Sequence, residues 1–324
     1  MNVLITGGAG YIGSHCNKFF NQQGISTIVL DNLRFGHPEA IHAGEFIHGD
    51  VADQELLESI FSTRSIDAVT HFAALADVAD SVKNPASYYA NNVTAMIGLL
   101  DAMIKHSVKY FIFSSSASTF GEPIYVPIDE KHPLQPINPY GETKLMGEKM
   151  LHDYGEAYGV KHVSFRYFNA AGADGDGEIG ESHDPEHHLL PNLFQKALGK
   201  KKDFFVFGQD YPTPDGTCIR DYVHVTDLAD AHYRGLQYLL NGGVSEQFNL
   251  GNNRGYSIRE VIKTFEAISG IAVQAKDAPR RQGDPAQLIA SNEKARNILG
   301  WTPKHSDLAN IIQTAWKWEQ IRPY

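Results

Sequence analysis

Val3-Leu4-Ile5-Thr6-Gly7-Gly8-Ala9-Gly10-Tyr11-Ile12-Gly13 begins as an apolar run and breaks at once into glycines. Val3–Ile5 reads as a short buried strand, and residues 11–23 as an amphipathic helix. Gly7, Gly10 and Gly13 fit a GxxGxxG spacing, while Gly8, Gly10 and Gly13 also satisfy GxGxxG. Glycines there let the backbone turn tightly and approach a pyrophosphate, whose charge sits at the helix N-terminus. A second apolar strand, Thr27-Ile28-Val29-Leu30, ends at Asp31. A carboxylate at that place accepts both ribose hydroxyls and repels a 2′-phosphate, so the βαβ unit predicts NAD rather than NADP. Asp50-Val51, closing Glu45-Phe46-Ile47-His48-Gly49, either flank the adenine or belong to an ordinary loop.

The same grammar continues along the first half. Ala68-Val69-Thr70-His71-Phe72, Tyr110-Phe111-Ile112-Phe113 and Val160–Arg166 read as further strands, with helical patterns at 53–63, 86–106 and 140–158 between them. Alternating strands and helices predict an α/β fold, a doubly wound parallel sheet with helices on both faces. After residue 172 long loops appear, at Gly172–Pro191 and 208–217, with helices at about 189–199, 225–240 and 307–319 and a strand at 247–250. Long irregular segments in a compact chain are usually binding loops. The expected division is a nucleotide-binding domain over 1–172 with a returning segment at about 219–250. A smaller interleaved α/β substrate-binding lobe takes 173–218 and 251–324.

Composition sets outer limits. Twenty-eight Lys+Arg against 38 Asp+Glu give a net charge of −10, which argues against general nucleic-acid or anionic-membrane binding. Cys16 and Cys218 form no CxxC pair, so disulfide, zinc-ribbon and thioredoxin chemistry lose support. No stretch approaches the ~18 apolar residues of a membrane span, and no signal peptide is evident. A cytoplasmic location is the expectation.

Chemistry concentrates near the middle. Ser114-Ser115-Ser116 ends the strand at 110–113, and Tyr140-Gly141-Glu142-Thr143-Lys144 follows. Tyr140 and Lys144 lie i and i+4, on one face of a helix for which Pro139 suits the first turn. An ammonium beside a phenol favours phenolate, which predicts a Tyr140 pKa below its usual ~10. A strand-end serine can share a substrate hydroxyl proton with it. His183, His187 and His188, beside Asp184 and Glu186, look metal-like, but their spacing fits no helical motif and Pro185 breaks periodicity. They read as solvated loop histidines, and no metal is expected.

Thr6–Gly13, Asp31-Asn32, His71–Ala74, Asn91-Asn92, Ser114–Ser118 and Tyr140–Lys144 resemble an extended short-chain dehydrogenase/reductase, with a Rossmann-like fold. Arg166–Ala173, Gly208–His232, Phe248–Gly251 and Pro279–Ala286 sharpen this to a resemblance to the UDP-glucose (UDP-galactose) 4-epimerase family. The resemblance implies bound NAD, a UDP-sugar substrate, 4-epimerisation through a transient 4-keto sugar, and a homodimer built on the helices at 86–106 and 140–158. It implies Tyr140 as base, Ser116 as its hydrogen-bonding partner, and Lys144 on the nicotinamide ribose. NAD would further touch Gly7, Gly10, Tyr11, Ile12, Gly13, Asp31, Asn32, Asp50, Val51, Phe72, Ala73, Ala74, Asn91, Ser114 and Tyr167. The sugar nucleotide would meet Ser118, Asn169, His188, Leu189, Phe207, Arg220, Arg281 and Asp284, the arginines on its diphosphate.

Three departures stand out. Ala76 falls where family members carry a pyrophosphate lysine, Phe120 replaces a tyrosine, and His188 replaces an asparagine. Leu288 falls at a gatekeeper position where tyrosine excludes N-acetylated sugars and smaller residues admit them, implying preference for UDP-glucose/UDP-galactose with leakage toward the acetylated pair. UDP-N-acetylglucosamine and UDP-xylose/UDP-arabinose epimerases are the near alternatives. A 4,6-dehydratase would need an acid pair where Ala117-Ser118-Thr119 stand, and a non-catalytic NAD-binding regulator would be expected to lack Tyr140, Lys144 or Ser116.

Overall fold

The computed structural model describes residues 1–281 and 283–324. In chain order the first half comprises β1 (Asn2–Thr6), α1 (Tyr11–Gln22), β2 (Ser26–Asp31), β3 (Glu45–His48), α2 (Gln54–Thr63), β4 (Ala68–His71), α3 (Val78–Lys83), α4 (Pro85–Tyr89), α5 (Ala95–Lys105), β5 (Tyr110–Ser116), α6 (Pro139–Tyr158) and β6 (Lys161–Tyr167). The rest comprises β7 (Asn169–Ala171), α7 (Leu189–Ala197), β8 (Phe205–Phe207), β9 (Ile219–His224), α8 (Val225–Leu240), β10 (Glu246–Leu250), β11 (Gly255–Ser257), α9 (Ile258–Ser269), β12 (Lys276–Ala278), β13 (Gln287–Leu288), α10 (Glu293–Leu299) and α11 (Leu308–Ile321).

Seven strands form one parallel sheet in the order β10-β6-β5-β4-β1-β2-β3. Alternate side chains feed two cores, as a two-residue period requires. Leu4, Val69, Phe111 and Phe113 join α2, α5 and α6 on one face. Val3, Ile5, Ala68 and Ile112 join Phe20 of α1 and Leu228, Leu236 and Leu239 of α8 on the other. The order reverses beside β1, so the C-terminal ends of β1, β4 and β5 open into the crevice where doubly wound sheets bind ligands.

The second lobe is built on β9, which pairs with β11, β13 and β7. Its core holds Phe194, Phe265 and Trp316. Of the segment 219–250, α8 and β10 join the large sheet, whereas β9 lies in the second. Ala295, Leu299 and Trp301, within the span assigned to the substrate lobe, pack against the large sheet. The 86–106 pattern is broken: α4 runs into a single π turn, Ala90–Thr94, before α5. No helix is long and apolar enough to cross a membrane among the described residues.

Candidate active site

The glycine turn sits where β1 ends. Gly7 has φ +74°, and a Cβ there would come within 2.5 Å of Ala73 N. A Cβ on Gly13 would strike the Gly7 carbonyl oxygen and lie 2.9 Å from the Gly8 Cα. Only glycines permit this approach. Phe72 N and Ala73 N both donate to Thr6 O, at 2.8 and 3.1 Å, binding the half-buried loop through Ala74 to the turn. Gly10 caps α1 without a side-chain acceptor, so the amides from Tyr11 and Ile12 onward face no competing carboxylate at the first turn. Asp31 ends β2 with Oδ2 accepting from Ala9 N (2.9 Å) and Oδ1 from Leu33 N (2.8 Å). Burial lifts its pKa although those bonds oppose the rise. Asn32 donates to Asp50 Oδ2 at 2.7 Å, while Asp50 Oδ1 caps Ala52 N and Val51 packs into the core.

The π turn presents two asparagines. Asn91 donates to Asn92 at 3.0 Å. Buried Asn92 accepts from Leu75 N and donates to Leu75 O and Thr143 Oγ1, bolting the loop after β4 to α6. Sequence reasoning placed Asn91 in the site and missed the structural weight of Asn92; π turns of this kind often mark functional sites.

Asn138 caps α6 by accepting from Gly141 N at 2.8 Å, with Pro139 opening the helix. That start points Tyr140 and Lys144 toward the end of β5. Lys144 Nζ donates to Ser114 O at 2.7 Å and lies 5.8 Å from the Tyr140 ring centroid. Burial raises the Tyr140 pKa, and the neighbouring Ser116 hydroxyl, which favours phenolate, offsets that rise only in part. Burial also pulls Lys144 down to about 7. The expectation that Lys144 alone would bring the phenol below its usual pKa therefore does not hold for the free protein. Both groups are desolvated, and a lysine that readily loses its proton offers little field. Tyr167 OH pairs with His232 Nε2 at 2.6 Å nearby.

Across the crevice, Arg220 on β9 ion-pairs with Asp284 and lies in register with Leu288 on β13. Arg281 stands 4.1 Å over the Phe207 ring, joining two residues that the sequence singled out separately. Asn169 on β7 lies in register with Tyr222 of β9. Half-buried Leu288 packs on Ala117, Phe120, Ile128, Phe168 and Ala290, a small core that begins one residue past Ser116. Asp221 was missed. Its buried carboxylate accepts from Asn252 N (2.6 Å) and Ala290 N (3.1 Å), strapping the chain after β10 and β13 to β9. Burial lifts it to about 7. Its signal was its place beside Arg220 in the Arg-Asp-Tyr block.

Residues 181–188 differ from expectation. Glu181 and Glu186 are buried, and His183 is half-buried with its ring edge-on to Tyr11 at 6.5 Å. His188, at the N-cap of α7 just before Leu189, bonds Glu181 through Nδ1. Desolvation opposes its charge, but Glu181 and Glu186 together hold it up at about 9. His187, paired with Asp77 at 3.0 Å, Asp184 and His188 are exposed as a solvated loop would be; Glu181, Glu186 and half-buried His183 are not. Tyr11 OH donates to Gly172 O at 2.6 Å and its ring meets His183, so the loop from 172 to 183 folds back on the first residue of α1.

Residues 3–251 match the family model for the NAD dependent epimerase/dehydratase family. The UDP-glucose 4-epimerase of Halalkalibacterium halodurans is 53% identical over all of this chain and 97% of its own. A UDP-glucose 4-epimerase from Brucella ovis, solved with NAD, superposes at TM-score 0.96 and 48% identity, covering 98% of each chain. One from Bifidobacterium longum, solved with NAD+ and UDP, gives 0.95 and 37%, covering 100% of this chain and 99% of its own. The chain belongs to the NAD dependent epimerase/dehydratase family, and these full-length relatives within it are UDP-glucose 4-epimerases.

Proposed function

We propose that the protein is an enzyme that interconverts UDP-galactose and UDP-glucose by NAD-dependent 4-epimerisation, working in the cytoplasm, where its two buried cysteines stay free thiols. The observation that carries this is the convergence of Tyr140, Ser116 and Lys144 at the end of β5, beside a turn that a Cβ on Gly7 or Gly13 would fill. The turn would hold the pyrophosphate, and Asp31, at the end of β2, would accept the ribose hydroxyls. Bound there, NAD would supply a reversible hydride acceptor for carbon 4 of the sugar.

Tyr140 takes the proton of the 4-hydroxyl and gives it back to the same oxygen, so protons and electrons balance over a cycle. Ser116 holds that oxygen. Lys144 serves the nicotinamide ribose, and the cationic ring adds the positive charge that Lys144 alone does not supply to the phenol. Arg220 and Arg281 hold the diphosphate with Asn169 and His188, Asp284 the nucleotide ribose, and Phe207 the uracil. Leu288 sets the limit on sugar size. Exposed Ile97 of α5 and Met146 of α6 support a homodimer through those helices.

The test is to mix purified protein with UDP-galactose, its N-acetylated analogue and UDP-arabinose, with no NAD added. Formation of UDP-glucose, lost in Tyr140→Phe by a factor of about 10²–10⁴, supports the reading. Undiminished turnover in that variant would sink it.

A further inference from the structure

The segment leading into α7 gathers four potential ligands that the epimerisation chemistry does not require as a set. One donor atom from each of Glu181, His183, Glu186 and His188 lies within 4.8 Å of the other three. His183 Nδ1 is 3.4 Å from Glu181 Oε1 and 3.8 Å from Glu186 Oε2, and His188 Nδ1 is 3.7 Å from Glu186 Oε1. Four donors around a tetrahedral zinc at ~2.0–2.1 Å stand about 3.3 Å apart, so small side-chain adjustments suffice.

A second observation points to a ligand. The Glu186 side chain is 2% exposed, and its Oε2 has no hydrogen-bond partner although its Oε1 accepts from both His187 N and His188 N. A buried carboxylate oxygen without a donor is costly, and here a second buried carboxylate, Glu181, stands beside it.

We propose that Glu181, His183, Glu186 and His188 form a binding site for one divalent transition-metal ion of the zinc class. Imidazole and carboxylate donors suit that class, and the absence of thiolate separates it from zinc-ribbon chemistry. The ion would fix the His183 and His188 rings, pinning the start of α7 against Tyr11 at the opening of α1. The role is structural; no step of epimerisation passes through it.

The test uses the tag-free full chain, stripped with chelator, loaded with ZnCl2 and desalted before metal analysis, with affinity from calorimetric titration. Wild type should retain close to one zinc per chain and unfold at a higher temperature with zinc than without. Glu186→Gln and His183→Ala should each weaken zinc binding at least ~10-fold, the loss that even outer-shell partners produce. His42→Ala, an exposed histidine outside the cluster, should bind as wild type does. Circular dichroism of the stripped variants checks that they are folded. Substoichiometric retention by wild type, or wild-type affinity in folded Glu186→Gln, would overturn the proposal.

Discussion

Arg166 on β6 grips Glu148 on α6 through two hydrogen bonds, Nε to Oε1 at 2.9 Å and Nη2 to Oε2 at 2.6 Å, with both side chains buried. Ser115 adds a third bond to the same carboxylate at 2.5 Å. Glu148 lies one helical turn beyond Lys144, so this clamp fixes the rotation of α6 against β5 and hence where Tyr140 and Lys144 point.

Glu148→Gln removes the counter-charge of the buried Arg166 guanidinium and sets an NH2 group against one of its donors, while Nη1 already lacks a partner. Loss of one partner of a buried pair costs about 3–5 kcal/mol. Urea unfolding should show that loss, and steady-state assays should show kcat falling more than KM rises. A stability within ~1 kcal/mol of wild type would contradict the clamp.

Gly13→Ala forces a methyl onto the Gly7 carbonyl. The turn must open, an overpacking strain of roughly 1–3 kcal/mol, which weakens NAD binding by ~10-fold or more. Cofactor content of the purified variant, read by absorbance after denaturation, measures this directly.

Lys144 gives a pH signature. Burial holds it at about 7 in the folded chain, against an ordinary value of 10.5. Between those values the unfolded chain binds more protons, so this group's contribution to stability rises with pH. The penalty is full below pH 7 and gone above about 10.5. At ~1.36 kcal/mol per pKa unit it amounts to about 5 kcal/mol. Lys144→Met should therefore gain stability relative to cofactor-free wild type at pH 6, and the gap should shrink steadily toward pH 10. A gap that stays constant with pH would show that Lys144 is not held neutral by burial.

Leu288 sits in register with Arg220 and packs on the core beginning at Ala117. Leu288→Tyr adds bulk there. The ratio of kcat/KM for UDP-galactose over its N-acetylated analogue should rise ~10–200-fold, the range one pocket contact provides. Competition assays with both substrates read that ratio; an unchanged ratio would remove Leu288 from the specificity pocket.

The strands and helices of the first half were legible because their signals are local: apolar runs of strand length, glycines at the turn, and Pro139 at a helix start. Val225–Leu240 begins and ends where the pattern places it. Helix α9 escaped notice although Ser257 and Glu260 form a capping box, a sequence-level signal. The break at 90–94 could not be read, because apolar spacing continues across a π turn with only a small phase change.

The sequence by itself determined the sheet, the cofactor turn and the identities of the residues offered for chemistry, since these follow from short-range periodicity and spacing. Tertiary structure decided their states. Burial, which depends on what packs around a group, set Tyr140 above and Lys144 below the values their helical spacing suggested. It also turned Glu181, His183, Glu186 and His188 from a polar loop into a partly buried cluster, because residues seven apart in the chain meet only when the loop closes on Tyr11.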